Sequence, residues 1–181
     1  LNKGKWYAEF KLTTTNYGTF GVARGESLNL YGEGEMGYIP TNGLNDSIGW
    51  YNGGADIKKN GSALFSGIAT YTAGDIVCIA MDLDNGGVYF RKADAAWENS
   101  SDPTSGASLT GAATIDVTSG KTYFIGGTTY TSTSAFAANF GGCSAFDVTS
   151  ANQDENNYGN FEYAVPSGYY AMCTKNIAEF G

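Results

Sequence analysis

The chain contains no histidine. That absence removes Ser-His-Asp and Cys-His nucleophilic catalysis and the usual zinc ligand sets together. Charge is scarce as well: 15% of the 181 residues are charged, below the roughly 25% of ordinary soluble domains. The basic sign is the scarcer, 10 residues against 18 acidic, for a net charge of −8. Phosphate backbones are held by clusters of Lys and Arg. The nearest approaches here are the pairs Lys58-Lys59 and Arg91-Lys92, so nucleic acid is not an expected partner. The same negative sign opposes anionic membranes, and no apolar run approaches the ~20 residues of a spanning helix; membrane insertion is not expected. Cysteines number three, with no metal-like spacing, and do not form a disulfide framework. Cys78 falls in the most apolar stretch and reads as an inert buried thiol. Whether Cys143 and Cys173 pair is left open. Leu1–Phe10 has neither the charged n-region nor the apolar h-region of a secretion signal. It reads as a segment cut from a longer protein, the other account being removal of an upstream signal.

What the chain does have is apolar and aromatic residues, 42% and 14% respectively. That composition suits one domain over 1–181, long enough to bury ~70% of its unfolded surface. Gly, Thr, Ser and Asn make up most of the polar remainder, giving a neutral, hydrogen-bonding surface.

The organising stretch is 74–92, GDIVCIAMDLDNGGVYFRK. From Ile76 to Leu83 both alternating sets of side chains are apolar, which places this strand inside a sheet covered on both faces. Asn85-Gly86 then supplies the two positive-φ residues of a tight type I′ turn, and Val88 to Lys92 returns as the partner strand. Upstream, Trp6, Ala8, Phe10 and Leu12 alternate with Tyr7, Glu9 and Lys11, the pattern of a half-buried strand. Thr19–Ala23, Ser47–Tyr51, 55–59 and 63–65 read as further strands, the second and third joined around Asn52-Gly53-Gly54. Later strands are expected at 113–117, 122–127, 135–140 and 169–175. Two long connections, 25–46 and 93–110, carry exposed aromatics, and long loops often carry function. Residues 151–160 form an acidic, Asn-rich excursion. No segment of helical length shows a 3.6-residue apolar stripe, and turn signals recur every 8–12 residues or so, the mark of an all-β sandwich. The predicted fold is therefore an antiparallel two-sheet β-sandwich with negligible helix.

Candidate chemistry is thin. A glycosidase needs two carboxylates about 5–10 Å apart. The nearest pair in sequence, Asp82 and Asp84, enters a tight turn, where Asp accepts hydrogen bonds from turn amides. Read as a calcium loop, Asp82-x-Asp84 meets Gly86 at the fifth position and Ala93 where a bidentate Glu is required. Gly32-Glu33-Gly34-Glu35-Met36-Gly37 matches a dinucleotide fingerprint by letter only, since no helix follows and its two glutamates would repel a pyrophosphate. Sequons occur at Asn45, Asn60 and Asn99, a number that the abundant Ser and Thr explain. No cofactor or metal is expected. Trp6 and Phe10 read as core; of Trp50 and Tyr51, on opposite faces of one strand, one is core and the other is available to solvent. Tyr31, Tyr38, Trp97 and Tyr130 lie in or beside predicted loops. Flat rings there either cover the sandwich ends or anchor a ligand.

The hairpin GDIVCIAMDLDNGGVYF resembles the signature hairpin of the SPRY domain, a concanavalin-like β-sandwich. GKWYAEFKL at 4–12, GTFGVAR at 18–24, SIGWYNGG at 47–54 and Asn139-Phe140-Gly141 are similar to further family segments in the same order. The usual Lys-Asn-Gly after the hairpin is replaced by Lys92-Ala93-Asp94, and residues 142–181 extend beyond the ordinary module. The one-strand Glu-x-Asp-x-x-Glu arrangement of glycosidases that share the sandwich is absent. The ending, Pro166 to Tyr169 and then Ala171 to Ile177, is similar to SPRY segments in virion proteins of tailed bacteriophages. The resemblance implies a jelly-roll scaffold that binds through loops and does not catalyse, here presenting loops 25–46, 93–112 and 128–134. It implies residence in the virion and partners that are virion proteins or a host-surface receptor, protein or glycan. It leaves open a homo-oligomer formed through the parent protein. Tyr31, Tyr38, Trp97 and Tyr130 are the candidate ligand-binding residues. A purely structural decoration or spacer is the alternative, and a glycan-active enzyme ranks last.

Overall fold

The computed structural model describes residues 1–14, 17–25, 36–37, 47–118, 120–129 and 131–181. Its strands are β1 (Lys5–Leu12), β2 (Gly18–Arg24), β3 (Ser47–Tyr51), β4 (Asp56–Lys59), β5 (Ser62–Ser66), β6 (Ile76–Asp82), β7 (Gly87–Lys92), β8 (Ala113–Thr114), β9 (Tyr123–Thr129), β10 (Phe136–Asn139) and β11 (Tyr170–Ala171), followed by helix α1 (Thr174–Phe180). One sheet runs β10-β1-β6-β7-β8, the other β5-β4-β3-β2-β9. All pairings are antiparallel except β11, which lies parallel to β1 beside Trp6 and Tyr7.

Alternation along the strands builds the core between the sheets. Trp6, Ala8, Phe10 and Leu12 of β1, with Val77, Ile79 and Met81 of β6, face Phe20, Val22, Ile48, Trp50 and Ile57 of the second sheet. Phe10 stacks on Phe20 at 5.2 Å, and Trp50 meets Tyr71 edge-on at 5.3 Å. Complete burial of such side chains contributes roughly 1.5–3 kcal/mol each. As expected, β6 is central and apolar on both faces, because its opposite face carries a second cluster. There Tyr7, Ile76, Cys78, Ala80 and Tyr89 lie beneath Phe161, Tyr169 and Ala171. The described residues therefore form three layers, the third built mainly from residues 142–169.

That third layer corrects the reading of β1 as half-buried: Tyr7 and Glu9 are fully buried. Alternation of polar and apolar residues suggested solvent, whereas the polar set faces another protein layer that satisfies it. The β6–β7 turn is also different from the type I′ expected. Asp82 pairs with Gly87, so the loop has four residues, 83–86. Gly86 alone of the Asn-Gly pair is at positive φ, +86°. The loop closes through Gly86 N–H donating to the Asp82 carbonyl at 2.8 Å, and the Asp82 carboxylate takes the amides of Asp84 and Asn85 at 3.0 Å each. A side chain at residue 86 would place its Cβ 2.7 Å from the Ile115 carbonyl oxygen. The strand expected at 113–117 is confined to Ala113–Thr114. The last strand is two residues long and gives way to α1, where an extended run over 169–175 was expected. Seven residues are too few for the amphipathic stripe that reveals a helix.

Candidate functional site

Strand direction sorts the connections between two ends of the sandwich. Leu1, the start of β1, the β6–β7 loop and the start of β9 share one end: Leu83 N–H donates to the Gly4 carbonyl, and Tyr123 N–H to that of Leu1. The opposite end holds the end of β1, the β3–β4 turn and residues 131–135. Gly18 N–H donates to Asn52 Oδ1 at 2.9 Å there, and Thr13 N–H to the Ala135 carbonyl at 3.0 Å.

The three candidate loops are anchored at different places on the sandwich. Loop 25–46 leaves β2 and returns to β3 at the terminal end, where Ala23 pairs with Ser47. Its residues Met36 and Gly37 lie against the outer face of the second sheet. Met36 N–H donates to Thr128 Oγ1 at 3.0 Å and Gly37 N–H to Ser47 Oγ at 2.6 Å. Gly49 makes this approach feasible, since a Cβ there would sit 2.2 Å from the Met36 carbonyl oxygen. Loop 128–134 is at the far end. Loop 93–112 crosses between the ends over the outer face of the first sheet, beside the third layer, with the Tyr169 hydroxyl donating to the Pro103 carbonyl at 3.0 Å.

Of the predicted site residues, Tyr31, Tyr38 and Tyr130 lie outside the described residues. Trp97 is half-buried against the second cluster, with the Arg91 guanidinium 4.8 Å from its ring centroid. Sequence reasoning passed over Tyr17, which is 48% exposed at the far end and tilted over Tyr51 at 5.6 Å. Tyr51 was signalled by its position opposite the core residue Trp50; Tyr17, in a short turn, carried no periodic signal.

Among the described residues, the buried carboxylates Asp82, Glu9 and Asp154 are committed to architecture. Asp82, fully buried, pairs with Lys5 at 2.9 Å and accepts Asn85 Nδ2 at 2.9 Å besides the two turn amides. Asp84 Oδ1 accepts Gly4 N–H at 2.8 Å. The paired-carboxylate geometry is thus a turn anchor, the role expected from sequence. Glu9 clasps the third layer: its carboxylate accepts Glu162 N–H at 3.0 Å, Tyr163 N–H at 2.8 Å, Asn139 Nδ2 at 3.2 Å and the Tyr7 hydroxyl at 3.3 Å. Burial pushes the Glu9 carboxyl above its ordinary range, and these donors pull it back only in part. Arg91 donates to the Ala164 carbonyl. Asp154 does for the excursion what Glu9 does for the clasp, accepting the amides of Tyr158, Gly159 and Ala171 and the Asn176 side chain at 2.7–2.8 Å. Cys78 is buried and free, its thiol pushed up to about 12 by that burial; Cys143 and Cys173 are unpaired.

Two antiparallel sheets in this order, with β6 covered on both faces, set the fold. It is SPRY-like. The SPRY domain of human HERC1 superposes with a TM-score of 0.51 over 76% of this chain and 74% of that chain, at 15% sequence identity. No family model and no curated protein matches the sequence. At that identity the likeness concerns the SPRY-like scaffold alone.

Proposed function

We propose that this chain is a non-catalytic SPRY-like binding module of a tailed-phage virion protein. Its partner is a host-surface glycan or protein, or another virion protein. The phage setting rests on the resemblance of Pro166 to Tyr169 and Ala171 to Ile177 to virion segments. The observation that carries the binding reading is the commitment of the buried carboxylates Asp82, Glu9 and Asp154 to internal donors, alongside the half-exposed Tyr17 ring leaning on Tyr51. The buried carboxylates are part of the scaffold, while an aromatic pair beside loop 128–134 offers the rigid, low-entropy contact that recognition uses. The recognition end is accordingly the far one. Trp97, pinned by Arg91, contributes to rigidity more than to contact.

Adhesion of the purified chain to host cells or to immobilised virion proteins tests this. Binding lost on Tyr17→Ala with Tyr51→Ala, and retained by Trp97→Ala, supports the far end. A chain that ignores cells and glycans yet co-assembles with virion proteins through another face belongs to the structural-decoration reading. Polysaccharide hydrolysis abolished by Asp82→Asn would overturn the non-catalytic assignment.

A further inference from the structure

A cavity of about 380 Å³ opens at the terminal end, between the start of β1, the β6–β7 loop and α1. It lies opposite the recognition end and is lined by Lys3, Lys5, Asp84, Tyr170, Glu179 and Phe180, with two glycines leaving part of its wall bare. Tyr170 and Phe180 stack face to face, 4.0 Å between centroids and 10° between planes, so they form a stiff aromatic block. The volume falls at the low end of small-molecule sites, ~300–1,000 Å³.

Charge decides what chemistry fits. Lys5 is already paired with Asp82 at 2.9 Å, and Asp84 spends Oδ1 on Gly4 N–H. One ammonium, that of Lys3, then faces two carboxylates, those of Asp84 and Glu179. The balance is acceptor-rich and negative, so it repels phosphates, sulfates and acidic sugars. It favours a ligand that brings several hydroxyl donors and no charge, with an apolar face for the aromatic block. We infer that this cavity binds one neutral pyranose unit of a saccharide. The sugar's C–H face lies on the Tyr170–Phe180 block, adjacent hydroxyls donate to Glu179 and to Asp84 Oδ2, and the Lys3 ammonium donates to a ring or hydroxyl oxygen. A quaternary amine also suits rings and carboxylates, but Lys3 opposes it.

Amide chemical shifts of the whole chain, titrated with galactose, glucose and chitotriose, test the site. N-acetylneuraminic acid and choline serve as charged controls. The expected result is that at least one neutral sugar moves Lys3, Asp84, Tyr170 and Glu179 together. Glu179→Ala and Asp84→Asn should each weaken that response about tenfold, equivalent to ~1.4 kcal/mol. Glu179 is exposed, and the side-chain carbonyl that Asp84→Asn retains can still accept the Gly4 amide, so both variants keep the fold. The inference is overturned if no neutral sugar moves these residues, if a charged control moves them more strongly, or if both variants respond as the parent does. Far-end adhesion is read separately with Tyr17 and Tyr51, so either site can fail without the other.

Discussion

The carboxylate of Glu9, midway along β1, accepts the backbone N–H of Tyr163 at 2.8 Å across 154 positions of sequence. Its other oxygen takes Glu162 N–H at 3.0 Å, so one side chain holds two consecutive amides and with them the third layer. Glu9→Ala leaves those buried donors unpaired, at a cost of roughly 1–3 kcal/mol for each group left unsatisfied. Hydrogen exchange should quicken at Glu162 and Tyr163 first. The amides of β6, held by β1 and β7, should be little changed if the layer loosens locally.

The same residue sets a pH dependence. Its folded-state pKa is raised, chiefly by burial, so the folded chain binds the Glu9 proton more tightly than the unfolded chain does. Stability from this group is fully present below the unfolded carboxylate value, about 4.3. It is lost as pH rises through the higher folded value. Glu162 runs the other way: Thr149 and Ser150 donors hold its carboxyl at about 2, and its contribution vanishes only as pH falls towards that value. Carbon-13 titration of the glutamate carboxyls should show the two displaced in opposite directions from an ordinary glutamate. A Glu9 signal at or below the ordinary value would contradict the burial argument.

The β6–β7 turn offers a sharper stability test. Gly86→Ala demands positive φ of an L-residue and sets Cβ 2.7 Å from the Ile115 carbonyl oxygen. Strain of about 1–3 kcal/mol is expected. Asp82→Ala does more, stripping Lys5 of its partner and two turn amides of their acceptor. Loss of a partly buried pair of this kind costs about 3 kcal/mol or more. Urea denaturation should rank Asp82→Ala below Gly86→Ala, and both below the parent chain.

Why some of this was readable and some was not follows from range. β6 declared itself because Ile76 to Leu83 is apolar on both faces, which only a covered strand tolerates. Trp6 and Phe10 were readable as core by alternation alone, whereas alternation placed Trp50 and Tyr51 on opposite faces without saying which is buried. Glu9 was not readable, because a buried carboxylate looks like a surface one until its donors, 153 and 154 positions away, are in place. The turn was misjudged for a similar reason: the Asp82 side chain imposes a four-residue loop that the Asn-Gly dipeptide does not reveal. The Tyr17–Tyr51 contact joins the residue before β2 to the last residue of β3, and neither residue's sequence neighbours encode it.

Thiol reactivity separates the three cysteines. Cys78 is fully buried in the second cluster, its thiol donates to the Ala93 carbonyl at 3.6 Å, and its pKa is pushed up to about 12. Attack on an alkylating reagent requires the thiolate, so at about pH 8 almost none of the nucleophilic form exists at this site. Cys143 is exposed and Cys173 half-exposed. Iodoacetamide followed by peptide mass spectrometry should therefore label Cys143 first, Cys173 next, and Cys78 only once denaturant unfolds the sandwich. Labelling of Cys78 in the native chain at a rate near that of Cys143 would mean that the third layer opens far more readily than its Glu9 and Asp154 bonds allow.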